Sequence, residues 1–115
     1  METLTTVQKS WGREEIIYND EYCCKLLVYD KLGIASSLHY HKTKTETFVV
    51  TSGSFRIEIG NLEKPVQTSE IYRPGDSITL PPGTTHRVRC LQAGVIVECS
   101  TRDDPDDCVR LVPSE

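Results

Sequence analysis

The chain has 115 residues, of which 37% are apolar and 26% charged, a size and composition that fit one domain with one modest core. Its 13 basic residues are scattered among 17 acidic ones, for a net charge of -4, which argues against a nucleic-acid partner but leaves an anionic small molecule open. No apolar run has the length of a signal peptide or a membrane span, so we expect a soluble, cytoplasmic protein with no membrane partner.

Short segments rich in β-branched and aromatic residues recur between turn signals, as expected for β-strands. In chain order they are EIIY, YCCKLLVY, IASSLHYH, TFVV, SFRIEI, SITL, HRVRC and VIVEC. Glycines separate them, and Pro74, Pro81 and Pro82 mark tight corners that a helix interior would not accept. The pattern predicts an all-β barrel or sandwich with no helix of convincing length.

The segment from Thr101 onward, TRDDPDDCVRLVPSE, is acidic and broken by proline. We expect it to wrap onto the barrel as a terminal segment. The predicted organisation is therefore a single domain over residues 1–115, with a metal-binding core at about 25–100 and the acidic segment at 101–115.

Five cysteines form no CxxC pair and no spacing typical of a disulfide framework. Adjacent Cys23 and Cys24 would point to opposite faces of a strand, which makes them poor joint ligands for one ion. We expect free thiols that pack in a reducing compartment.

The two-residue period of a strand predicts which face each histidine occupies. It places Ser37, His39 and His41 on one face of their strand, and His86 on the face that it shares with Val88 and Cys90. Both faces must point inward if the histidines are to meet.

The three histidines of the chain and one glutamate form a candidate metal site. His39 and His41 would aim their imidazoles into one space, Glu46 would close a third side from beyond the next turn, and His86 would come from a facing strand after the rigid corner PPGTT. Three imidazoles and a carboxylate suit one divalent ion of iron, manganese, cobalt, nickel, zinc or copper better than calcium or magnesium. Around an octahedral ion they leave two adjacent positions open.

Two spaced motifs resemble those of the cupin superfamily. The first has intervals of five, one, four and six residues between Gly33, His39, His41, Glu46 and Gly53. The second has intervals of five, one and two residues between Gly75, Pro81, Gly83 and His86, and Cys90 stands where the family often has asparagine. The resemblance implies an all-β cupin double-stranded β-helix, also called a jelly-roll barrel, with metal ligands His39, His41, Glu46 and His86.

A finer similarity links the chain to the C-terminal isomerase domain of bifunctional mannose-6-phosphate isomerases and mannose-1-phosphate guanylyltransferases. It rests on Trp11-Gly12, Lys25-Leu26, the run SSLHYHKTKTETFVVTSG, and DDCVRL. The chain departs from that family at His39, where glutamine is common, and in ending with LVPSE. The resemblance implies a metal-dependent isomerase of a sugar or sugar phosphate. It also implies a homodimer in which an N-terminal strand, within TVQKSWGREEIIY, adds to the partner's sheet.

For such a reaction we expect Glu46, or Glu58 if it points inward, to carry the proton, with Lys44 as a third candidate catalytic residue. The predicted substrate contacts are Ser37 on the histidine face and the cations Lys25, Lys44 and Arg56, since a phosphate prefers several donors.

Two other functions fit the same ligands. A non-haem metal dioxygenase or a lyase would hold a small organic acid, and in the former also oxygen, at the open positions. A non-catalytic cupin would bind a small molecule without turnover.

Overall fold

The computed structural model describes residues 3–115, and these residues form nine strands and one short 3₁₀ turn. The strands are β1 Thr5–Lys9, β2 Gly12–Asn19, β3 Cys23–Tyr29, β4 Leu38–His41, β5 Glu46–Gly60, β6 Thr68–Tyr72, β7 Ser77–Leu80, β8 Thr85–Ser100 and β9 Cys108–Val112, and the turn is Pro105–Asp107. The all-β prediction is confirmed. No helix within residues 3–115 is both long and apolar enough to cross a membrane.

Every strand pairing is antiparallel, and β8 is the centre of the sheet. Along one path the strand order is β1-β2-β3-β8-β4-β9, while β5 pairs with β6, β7 and β8. Because β8 contacts β3, β4 and β5, the sheet must curl on itself. Side chains from these four strands therefore share one interior.

Two glycines join segments that the sequence pattern had separated. TFVV and SFRIEI lie within one long strand, β5, and HRVRC and VIVEC lie within β8. A Cβ atom on Gly53, whose φ is +79°, would lie 2.5 Å from the carbonyl oxygen of Gln92, and one on Gly94 would lie 2.1 Å from that of Ser52. The glycines thus allow a close backbone approach where β5 and β8 continue through a bulge instead of turning.

The apolar core is built from inward side chains of the curled sheet. The rings of Trp11 and Tyr29 stack with centroids 4.2 Å apart, and Phe55 packs edge-on against Tyr29 at 5.0 Å. Along β3 the buried and partly buried residues alternate strictly, as expected for a strand with one interior face. The same interior carries a buried polar cluster that includes Lys44, Glu46, His86 and Glu98.

The acidic C-terminal segment contains a 3₁₀ turn and a strand of the sheet. Asp104 caps the 3₁₀ turn by accepting a hydrogen bond from the backbone N–H of Asp106, and Cys108 then begins β9. Strand β9 pairs with β4, and Cys108 lies opposite His41. The sequence pattern missed this strand, which places the segment next to the histidines.

Candidate metal centre

Three strands bring the predicted ligands together. His39 and His41 lie on β4, Glu46 begins β5, and His86 lies on β8 directly opposite His39 in the β4–β8 pairing. One nitrogen or oxygen atom from each of the four residues lies within 4.8 Å of the other three. The histidine faces predicted from the two-residue period do converge.

The closest approach in this group is between a carboxylate oxygen and two imidazole nitrogens. Oε1 of Glu46 lies 2.9 Å from Nε2 of His86 and 3.5 Å from Nε2 of His41. Oε1 of Glu46 and Nε2 of His86 are both buried, and neither has a hydrogen-bond partner within residues 3–115. Buried polar atoms without partners are costly, so a cation between them would satisfy both.

The outer nitrogens of the imidazoles face protein oxygens. Nδ1 of His39 lies 3.0 Å from the carbonyl oxygen of Ser37, and Nδ1 of His86 lies 3.2 Å from that of Thr84. A carbonyl only accepts hydrogen bonds, so each Nδ1 donates, and in a neutral ring with this tautomer Nε2 keeps the lone pair that binds a metal. This arrangement fits a metal held through Nε2 of the histidines.

The protonation states suit metal ligands as well. Burial, together with the neighbouring His86, lowers the pKa of His39 to about 3, and burial lowers the pKa of His41. Burial alone would raise the pKa of Glu46, but the adjacent His86 and Lys44 hold it below its usual range. Near pH 7, His39 and His41 are therefore neutral and Glu46 is ionised, as a divalent ion requires.

Lys44 lies at the centre of a buried ionic network beside these ligands. Its Nζ lies 2.8 Å from Oε2 of Glu98, 2.9 Å from Oδ1 of Asp103 and 3.2 Å from Oε2 of Glu46. The Lys44 side chain is only 2% exposed. Burial would lower the pKa of Lys44, but the carboxylates, Glu98 foremost, raise it, so Lys44 remains charged.

Lys25 extends the network on the other side of Asp103. Its Nζ donates to Oδ2 of Asp103 at 3.0 Å and to Oε1 of Glu14 at 3.3 Å. Glu98 accepts a further hydrogen bond from Ser100 at 2.9 Å, and burial and the charge of Glu46 raise the pKa of Glu98. The network thus contains both firmly ionised groups and a carboxyl that retains its proton to higher pH.

A cavity of about 300 Å³ opens onto the four candidate ligands. Its polar side includes Lys25, Lys44 and Glu98, and its apolar side includes Trp11 and Phe48. This volume suits a small ligand bound next to an ion.

Four of the predicted substrate and catalytic residues line this cavity, namely Ser37, Lys25, Lys44 and Glu46. Arg56 and Glu58 do not reach it. Glu58 accepts from Arg87 at 3.1 Å, and Arg56 donates to the carbonyl oxygen of Ser69 at 3.2 Å. Both lie on the outer face of β5, so Glu58 does not meet the condition of pointing inward on which its role as a proton carrier depended.

A bulge in β5 explains why Glu58 faces outward although even-numbered residues at the start of the strand face inward. Before it the buried residues are even-numbered, as in Glu46 and Phe48, and after it they are Phe55 and Ile57. The pairing register with β8 shifts between Val50 and Phe55, so the inward face changes parity.

Sequence reasoning missed three carboxylates near the site, those of Glu98, Asp103 and Asp107. Glu98 could have been found, because it lies two positions after Ile96 on β8 and a two-residue period places both side chains on the inward face. Asp103 and Asp107 could not have been found in this way, since only the path of the chain brings them to the loop before Glu46.

Known structures share this fold. CapF of Staphylococcus aureus, a capsular polysaccharide assembling protein, is 22% identical with a TM-score of 0.79, over 97% of this chain and 32% of CapF. KdgF from Halomonas sp. is 17% identical with a TM-score of 0.74, over 91% of this chain and 90% of KdgF. Oxalate decarboxylase from Bacillus subtilis, which has Mn(II) centres, is 20% identical with a TM-score of 0.77, over 94% of this chain and 30% of the enzyme.

The chain spans about a third of the length of CapF. A comparison with curated protein sequences found no match. The model of the cupin domain family matches residues 26–98, a range that contains all four candidate ligands. With the jelly-roll fold and this match, the chain belongs to the cupin domain family.

Proposed function

We propose that this cupin is an enzyme that holds one divalent transition-metal ion at His39, His41, Glu46 and His86 and isomerises an open-chain sugar or sugar phosphate. The observation that carries the proposal is the convergence of four ligand atoms within 4.8 Å, with buried, unpaired Oε1 of Glu46 and Nε2 of His86 among them. The isomerase part of the proposal rests on the resemblance of the run SSLHYHKTKTETFVVTSG and of DDCVRL to motifs of sugar isomerase domains.

The charge of the surroundings supports a divalent ion. Two lysines meet four carboxylates beside His39 and His41, and these six groups sum to two negative charges when all are ionised; they are Lys25, Lys44, Glu14, Glu46, Glu98 and Asp103. An ion of charge +2 would balance this buried cluster, and an uncompensated buried charge is unfavourable.

When bound, the ion would act as a Lewis acid on adjacent carbonyl and hydroxyl oxygens of the substrate. The protein must then move a proton between neighbouring carbons. We assign that role to Glu98 in place of the outward Glu58, because Glu98 is buried and lines the cavity. Lys44 and Ser100 both donate to its Oε2, which leaves Oε1 to carry the proton.

The cations nearest the cavity divide into two groups. Lys25 and Lys44, which we expected to bind phosphate, already pair with carboxylates. Lys9 and Arg110 also line the cavity, and neither has a carboxylate within 4.0 Å in residues 3–115. We therefore assign an anionic group of the substrate to Lys9 and Arg110, and its sugar hydroxyls to Ser37.

The test begins with metal analysis of protein purified without a histidine tag. The metal-loaded protein is then assayed with aldoses, ketoses and their phosphates, with aldose–ketose interconversion as the readout. Conversion that chelation abolishes and metal restores supports the proposal. Bound metal without any conversion would contradict the isomerase assignment and favour a binding-only cupin.

A second candidate is a decarboxylase or dioxygenase of a small organic acid. Its support is the fold shared with oxalate decarboxylase, together with Lys9 and Arg110, which have no carboxylate partner within residues 3–115 and suit a carboxylate as well as a phosphate. Release of carbon dioxide or uptake of oxygen with organic acids, and no sugar conversion, would favour this function.

We also propose a cytoplasmic homodimer. All five cysteines are free thiols, which suits a reducing compartment. Among the strands of the described residues, β1 pairs only with β2 and so leaves one backbone edge open to a second copy. Light scattering during size-exclusion chromatography tests the dimer, and a monomer at micromolar concentration would contradict it.

A further inference from the structure

The loop between His41 and Glu46, residues 42–45, sets the distance between two candidate ligands without belonging to a strand. The carboxylate of Asp107 holds this loop. It accepts hydrogen bonds from the backbone N–H of Thr43 at 2.8 Å, the Thr43 hydroxyl at 2.9 Å and the backbone N–H of Lys44 at 3.1 Å. The backbone carbonyl of Asp107 accepts from Lys42 at 3.1 Å.

A second tie runs from the same C-terminal segment to Glu46 through a lysine. Asp103 accepts from Nζ of Lys44 at 2.9 Å, and the same Nζ lies 3.2 Å from Oε2 of Glu46. With Oε2 directed to Lys44, the other oxygen of Glu46 faces His86. The lysine thus fixes which carboxylate oxygen is presented to the candidate metal position.

Asp107 also faces a candidate ligand directly. Its Oδ2 lies 3.7 Å from Nδ1 of His41, and that nitrogen is buried and has no hydrogen-bond partner in the described part of the chain. A small movement of the ring would form the carboxylate–histidine contact that commonly orients metal-bound imidazoles. The segment from Asp103 to Asp107 therefore touches both ends of the loop.

We infer that Asp103 and Asp107 are positioning residues of the metal centre. They hold the loop, Lys44 and the His41 ring in the geometry in which Glu46 and His41 bind one ion. The inference rests on the proposed metal site, and it predicts that metal affinity depends on two carboxylates that do not themselves bind the ion. Loss of such outer partners commonly weakens metal binding by about 10- to 100-fold.

The experiment titrates metal-free protein with Co²⁺ and follows its visible absorption, which reports both affinity and ligand geometry. Asp107→Asn and Asp103→Asn are expected to bind Co²⁺ about 10- to 100-fold more weakly, with an altered spectrum. Asp106→Asn is the matched control, because it removes the same charge from an exposed side chain of the same turn and should bind like the wild type.

The outcomes separate the two proposals. If wild-type protein and His86→Ala bind Co²⁺ equally, the proposed metal site itself is wrong. If the wild type binds, His86→Ala does not, and both aspartate variants keep wild-type affinity and spectrum, the positioning role is wrong. Thr43→Val, which removes only one hydrogen bond to Asp107, provides a milder variant should Asp107→Asn fail to fold, and we expect its binding to weaken a few-fold.

Discussion

Nε2 of His86 on β8 lies 2.9 Å from Oε1 of Glu46 on β5, and neither buried atom has a hydrogen-bond partner among the described residues. A protein that needed this contact only for stability would orient a donor toward an acceptor. Here Nδ1 of His86 already faces the carbonyl oxygen of Thr84, while Nε2 and the carboxylate oxygen point into the same space, as two ligands of one cation do. This relationship supports a metal centre more directly than the spacing of the motifs.

Metal-free protein should lose stability as the pH falls below about 6.5. The folded-state pKa of His39 is about 3, below its ordinary value of 6.5, because burial disfavours the charged ring. At a pH between these two pKa values, His39 is protonated in the unfolded chain and neutral in the folded protein. Acidification therefore lowers the free energy of the unfolded state relative to the folded state, and the free energy of unfolding decreases. Urea unfolding in the presence of a chelator, from pH 7 to 4.5, measures how the free energy of unfolding changes with pH.

A matched variant isolates the His39 contribution. Glu98, whose pKa is raised by burial, acts in the opposite direction, but it is present in both the wild type and His39→Gln. The wild type should therefore lose more stability on acidification than His39→Gln. Equal slopes for the two proteins would contradict a buried, neutral His39.

Gly12→Ala should destabilise the fold strongly. A Cβ atom at this position would lie 2.0 Å from the carbonyl oxygen of Val28 on the neighbouring strand, and the φ angle is +148°. Strands β2 and β3 would have to separate, so we expect a loss of at least about 3 kcal/mol in the free energy of unfolding. Gly75→Ala, where φ is also positive but no atom lies within 4 Å, should cost only about 1–2 kcal/mol. Similar losses of stability for the two variants in denaturant unfolding would contradict the close approach of Gly12 to the backbone of Val28.

Glu98→Gln should reduce turnover of the proposed isomerisation by at least about 100-fold, because the amide cannot exchange a proton. The KM should change little if Glu98 acts on the reacting carbons and not on binding. Glu58→Gln is the control, since that side chain pairs with Arg87 on the outer face. Steady-state rates on the same sugar decide the assignment, and a slow Glu58→Gln beside a normal Glu98→Gln would reverse it.

Much of this site could be predicted from the sequence, because short-range strand geometry governs it. The two-residue period put His41 and His86 on inward faces, and both are buried. The outward position of Glu58 could not be predicted, since a bulge whose length no local pattern reveals changes the parity of β5. The role of Asp107 could not be predicted, as it depends on long-range packing against the loop at Thr43.

Arg110→Met should weaken the binding of an anionic substrate. Arg110 lines the cavity and has no carboxylate within 4.0 Å in the described part of the chain, so its charge is available. For a sugar phosphate we expect a KM about 10-fold higher, and for the same sugar without phosphate an unchanged KM. Arg56→Met removes a cation from the outer face of β5 and should alter neither value. Parallel KM shifts with both sugars would argue against an anion contact.

Metal analysis of untagged protein, as purified and after reloading, tests the central claim most directly. We predict about one equivalent of a divalent transition metal per chain in the wild type, and its loss in His86→Ala while the β-sheet circular dichroism is retained. Wild-type protein that stays metal-free after reloading, or His86→Ala protein that retains a full equivalent, would contradict the account.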